Sequence, residues 1–192
     1  MNKTNSESLA KAALPYFREH EGVVPHMYLD VVGLVTVGIG RMLPTAASAA
    51  SLRFFVRGTN RDATYAEKTA EWDRIKALPA AHVHRWYLPY ATLEMAPEDI
   101  EAEFYKSCAG FIAGLSQRFP AMDTYPRPVQ IGLLDMAYSL GVAGVVGKYP
   151  KFCAAVDRRD WSGCANECAR RNVSDNRNIA LAALFLSALE DL

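Results

Sequence analysis

The spacing of apolar and polar positions changes period several times along this chain, and each change marks an element. Over residues 8–20, Leu9, Ala12, Ala13, Tyr16 and Phe17 form an apolar stripe at helical spacing, with Pro15 inside it. Gly22, just past His20 and Glu21, is a helix stop. From Leu34 to Gly40 the period drops to two, as Val35, Val37 and Ile39 alternate with Thr36, Gly38 and Gly40. With Gly33 supplying a turn, residues 27–40 read as a small hairpin. One face of its second strand is β-branched and suited to a core. The other is a hydroxyl and two glycines, bare backbone that a bulky ligand can approach closely.

Weaker signals follow. Pro44 to Ser51 reads as an alanine- and serine-rich connection and Gly58-Thr59-Asn60 as a turn, while Thr64 to Leu78 is helical with Trp72 and Ile75 on one side. Pro79, Pro89 and Pro97 punctuate this stretch. Beyond it the chain is strongly helical. Ile100, Phe104, Cys108, Phe111, Ile112 and Leu115 recur at three and four residues. Pro128 opens a helix over Val129 to Leu140 that Gly141 stops, and a shorter helix follows Pro150. Another spans Asp160 to about Arg171, and Ser174 or Asp175 caps a last helix running to the C-terminus. The expected class is α+β, predominantly helical, as one domain over 1–192. Its parts are an N-terminal helix and hairpin (1–45), a connecting insertion (46–96) and a helical lobe (97–192).

Composition narrows the function classes. The 21 acidic residues balance the 21 basic ones, so no net field draws the protein to nucleic acid or to an anionic membrane. Arg158, Arg159, Arg170, Arg171 and Arg177 crowd the last third and read as a solvated helix face. The first eight residues are polar and unlike a signal peptide, and Ile179 to Leu189 is too short an apolar run to span a bilayer. The expectation is a monomer made in the cytoplasm without a signal peptide. Cys108, Cys153, Cys164 and Cys168 lack zinc-site pairing and read as small buried residues, a disulfide formed after export being the alternative. His82 and His84 have no acidic or cysteine partner at ligand spacing and read as surface residues.

Glycoside hydrolysis requires two carboxyl groups in unlike surroundings, one protonated for the leaving oxygen and one ionised. Glu21 at a helix end, following Tyr16 and Phe17, is the candidate acid; Asp30 on the hairpin is the candidate base. Thr36, on the glycine-bearing face of the strand, is placed to help Asp30 hold a water.

The run Glu21-Gly22, Tyr28-Leu29-Asp30, Gly33 and Thr36-Val37-Gly38-Ile39-Gly40 closely resembles the phage-type lysozymes, glycoside hydrolase family 24. That family pairs a glutamate before glycine with an aspartate nine residues on and a threonine six beyond, in a Thr-x-Gly-x-Gly strand. Leu134 to Gly141 is similar to the family's cleft helix, and Asn176-Arg177 to its asparagine-arginine pair. The resemblance implies a two-lobed lysozyme-like fold and cleavage of the β-1,4 bond between N-acetylmuramic acid and N-acetylglucosamine, with inversion and with neither metal nor cofactor. It implies Glu21, Asp30 and Thr36 as catalytic residues, Gly40, Asp135, Tyr138 and Ser139 as saccharide contacts, and Arg177 as the ion-pair partner of Glu21. Arg41 departs from the family, which commonly has histidine there, as do the neutral charge and the long stretch 44–95. The implied partner is peptidoglycan, reached as a phage endolysin or as an interbacterial effector served by secretion machinery and countered by an immunity protein. Action is then in the periplasm or cell wall. The alternatives are a catalytically inactive glycan-binding module and a related transglycosylase or chitin-cleaving enzyme.

Overall fold

The computed structural model describes residues 3–171 and 173–190. The protein is α+β and mainly helical, with its small antiparallel sheets toward the N-terminal side. The chain divides into two compact units, Met1–Tyr16 with Tyr105–Leu192, and Phe17–Phe104. Helices α1 (Lys3–Glu21) and α4 (Pro97–Arg118) each have residues in both.

In the Phe17–Phe104 unit, strands β1 (Val24–Leu29), β2 (Val35–Gly38) and β3 (Arg41–Met42) form an antiparallel sheet in that order. Tyr28 lies opposite Thr36 and Leu29 opposite Val35, and the register shifts between Val24 and Tyr28. The two-residue period of 34–40 therefore runs past the end of β2 into a turn. Gly38 and Gly40 both have positive φ, 66° and 65°, so the chain turns at Ile39-Gly40 and returns as β3. The expected open face is also closed at Gly38: a Cβ there would meet Ile100 Cγ2 at 3.3 Å. That glycine serves a backbone conformation that L side chains rarely adopt and a close side-chain contact, rather than ligand access.

The stretch expected as a connection is folded. Thr45 and Ser48 cap a short helix, α2 (Ala46–Ala50), reciprocally. Two-residue strands β4 (Phe55–Val56) and β5 (Leu93–Glu94) pair antiparallel. Helix α3 (Tyr65–Lys76) starts at the capping residue Thr64, as its periodicity predicts, and a 3₁₀ turn covers His84–Tyr90. Glu71, fully buried on α3, accepts from Thr92 N and Oγ1, both at 2.7 Å, and from Arg74 Nη2 at 2.9 Å. Burial pushes its carboxyl up against the lowering effect of these bonds. Phe17, Met27, Val37, Phe54, Ile75 and Tyr87 form the core of this unit.

The other unit is helical. The stripe on α4 buries Cys108, Ile112 and Leu115, leaving Phe111 partly exposed. Helix α5 (Arg127–Lys148) outruns its expected end at Leu140, because the chain passes Gly141 at φ 68°, ψ 156° and resumes helical geometry. Helix α6 (Pro150–Asp157) follows, then α7 (Trp161–Glu167), shorter than expected and capped by Asp160, whose carboxylate accepts from Gly163 N at 2.7 Å. Helix α8 (Asp175–Ser187) is capped by Ser174 and stops before the C-terminus, residues 191–192 lying outside those described. All four cysteines are buried and unbridged.

Candidate active site

Three elements bring the predicted catalytic residues into one unit. Glu21 is the last residue of α1, and Gly22 at φ 73° turns the chain into β1. Asp30 follows β1. Its Oδ1 accepts from Val32 N at 3.0 Å and Leu34 N at 2.8 Å, closing the hairpin loop as an aspartate turn does. Oδ2 is left outside those loop bonds. Gly33, at φ 80°, donates its N–H to the Asp30 carbonyl at 3.0 Å and completes the turn.

Thr36 is 3% exposed and donates its hydroxyl to the Leu34 carbonyl at 3.1 Å, so its remaining role toward a ligand is that of an acceptor. Across the sheet it faces Tyr28, since directly opposed residues of an antiparallel pair share a face. The Tyr28 phenol is half-buried and pushed up to about 12, first by burial and then by the negative charges of Glu21 and Asp30. Both carboxylates thus act on one hydroxyl, which keeps its proton through the neutral range and is a donor there. Sequence reading passed over Tyr28, although its place two residues before Asp30 on a half-buried strand was a usable signal.

Arg41, standing on β3 opposite Val37, has its Nε 3.9 Å from Glu103 Oε2. Gly40 sits partly exposed in the turn before it.

The residues expected at the saccharide groove from α5 lie in the other unit and differ in kind. The Asp135 side chain is completely buried. Arg170 Nη2 lies 2.9 Å from its Oδ2, Arg177 Nη2 2.7 Å from its Oδ1, and Tyr16 donates to Oδ2 at 3.2 Å. Burial, then the Asp135 charge, raises the Tyr16 phenol well above its ordinary range. Ser139 is exposed, but its Oγ accepts from Arg170 Nη1 at 2.7 Å. Tyr138 is half-buried, its ring 5.5 Å from that of Phe111. Arg177 carries a short ion pair to Asp135. Arg170, counted in sequence with a solvated face, is 3% exposed, its main chain held on both sides by the Asn178 amide at 3.0 Å.

Together the fold and site define a mainly helical α+β protein in which two carboxyl groups, a protonated phenol and a threonine gather on and beside one hairpin. Compared with known protein families and with curated proteins, the chain matches none.

Proposed function

We propose that the protein is a peptidoglycan hydrolase, an N-acetylmuramidase that cuts the β-1,4 bond between N-acetylmuramic acid and N-acetylglucosamine. The observation that carries this reading is the placement of Glu21 at the end of α1, Asp30 in the hairpin loop after β1 and Thr36 on β2 opposite Tyr28, all within one unit. The likeness of that run to phage-type lysozymes supports the same chemistry.

In the proposed reaction Glu21 gives its proton to the glycosidic oxygen as the bond from the anomeric carbon to it breaks. Asp30, through Oδ2, takes a proton from a water whose oxygen bonds to that carbon on the opposite face. The product is inverted, which is the outcome when a water stands between carboxylate and sugar.

Isolated peptidoglycan incubated with wild type should release muropeptides with free reducing ends. Glu21→Gln, which keeps the size and cannot donate a proton, should be slower by about 10²- to 10⁴-fold. Mass spectrometry of the soluble fraction reads both. Anhydro-sugar products would replace hydrolysis with transglycosylation, and no product from a folded wild type would sink the enzyme reading.

A further inference from the structure

The stretch between the hairpin and α4 is built against the strand that carries Tyr28. Lys76, the last residue of α3, donates Nζ to the Gly33 carbonyl at 2.6 Å, at the tip of the loop that Asp30 closes. A Cβ on Gly33 would stand 3.6 Å from Ala80 Cβ. Tyr87, fully buried, donates to the Pro79 carbonyl at 2.8 Å. His26, buried on β1, has its Nε2 3.0 Å from the carbonyl of His84, and because a carbonyl only accepts, Nε2 carries the proton. The 3₁₀ turn is therefore pinned by its backbone, and the His84 imidazole is left exposed. Its ring centre lies 6.2 Å from that of Tyr28, at an interplanar angle of 65°.

We propose that the turn His84–Tyr90 is an added wall of the saccharide site and that His84 contacts the bound glycan there, an inference that rests on the hydrolase reading for the identity of its ligand. Two rings set at an angle form a corner. Their faces suit the C–H surface of a pyranose, and the imidazole N–H and lone pair suit sugar hydroxyls and the acetamido group of an N-acetylated sugar. The phenol in that corner belongs to the residue opposite Thr36 and two before Asp30, whose loop follows β1, so a sugar held by His84 lies beside the reacting groups. The wall comes from the long stretch that departs from the compact family members, and it serves to select and hold substrate rather than to perform the reaction.

The test uses the full chain, glycan strands freed of their peptide cross-links, and chitotetraose as a binding probe. His84→Ala removes the ring and keeps the carbonyl that His26 uses, so thermal melting should stay at the wild-type value. KM for the strands should rise about tenfold, or about 1.4 kcal/mol, with kcat within about twofold. Kd for chitotetraose, measured in a Glu21→Gln background, should weaken by the same factor. Lys11→Ala, exposed on α1 and outside the turn, should change neither. KM and Kd within about twofold of wild type in His84→Ala, while wild type still cleaves, overturn the proposal. Should the alanine variant melt early, His84→Phe decides, because it keeps a ring against Tyr28 without polar atoms; wild-type binding by it overturns the proposal. A wild type that binds chitotetraose through His84 without turnover keeps the wall and removes the hydrolase. One that neither binds nor cleaves removes both.

Discussion

Asp135 shows what a single buried charge requires of its surroundings. With no exposed surface, it sits between the Arg170 and Arg177 guanidiniums, with the Tyr16 hydroxyl on the same oxygen as Arg170. An isolated carboxylate in this position would be too costly to keep ionised, and the two cations would be equally costly without it. Removing one member of such a group typically costs about 3–5 kcal/mol, because the remaining charges stay buried. Asp135→Ala should therefore lower the unfolding free energy from urea titration by that much, with Asp135→Asn losing less because it can still accept from Tyr16. A loss under about 1 kcal/mol in the alanine variant would place the group among ion pairs that contribute little. None of this was legible in the chain, where Asp135 read as a groove residue and Arg170 as part of a solvated cluster. Burial of a charge depends on partners far away in sequence, and neither side chain signals those partners locally.

Helix α5 illustrates a conflict between local propensity and packing. Gly132 lies in its interior, where alanine would be favoured by about 1 kcal/mol on helix propensity alone. A Cβ at that position would stand 2.7 Å from the Cζ of Phe185 on α8, closer than the atoms can approach. Overpacking of this kind costs about 1–3 kcal/mol, so the contact outweighs the propensity. Gly132→Ala should be destabilised by up to about 2 kcal/mol net, a drop of up to about 8 °C in Tm by calorimetry. An increase in Tm would mean that Phe185 moves aside freely. Gly141 works differently, since its positive φ lets the helix break and resume. A stop was the correct reading at that residue. That a further helical stretch follows it was not evident, because Val142, Val145 and Val146 look as much like strand as helix.

At the scale of the molecule, packing determines the chemistry of groups that sequence leaves open. Burial pushes the thiols of Cys108 and Cys164 up to about 12 and that of Cys168 up to about 11, and raises Cys153 as well. Since the thiolate is the reacting species, all four should be inert in the folded protein at pH 8. A thiol reagent with absorbance readout should find almost no free thiol in native protein and all four in denaturant; rapid native labelling of any one would contradict its buried position. Helix α5 raises a related point, being long and apolar enough to cross a membrane by length and composition. Half of that apolar window is buried within the protein, as in a core helix.

The sequence by itself determined the period of the longer helices, the helix starts near Thr64 and Asp160, the cap at Ser174 and the hairpin, and it named Glu21, Asp30 and Thr36 as candidates. Those features depend on neighbours a few residues away, where spacing and turn chemistry act directly. Only the tertiary structure decided that Gly38 is covered by Ile100, that Tyr28 stands under the field of two carboxylates and that His84 comes from 56 residues downstream to meet it. It also turned Asp135 inward to two arginines. Each of these joins residues distant in the chain, and the energies that select them — desolvation, close packing and charge pairing — exist only once the chain has brought those residues together.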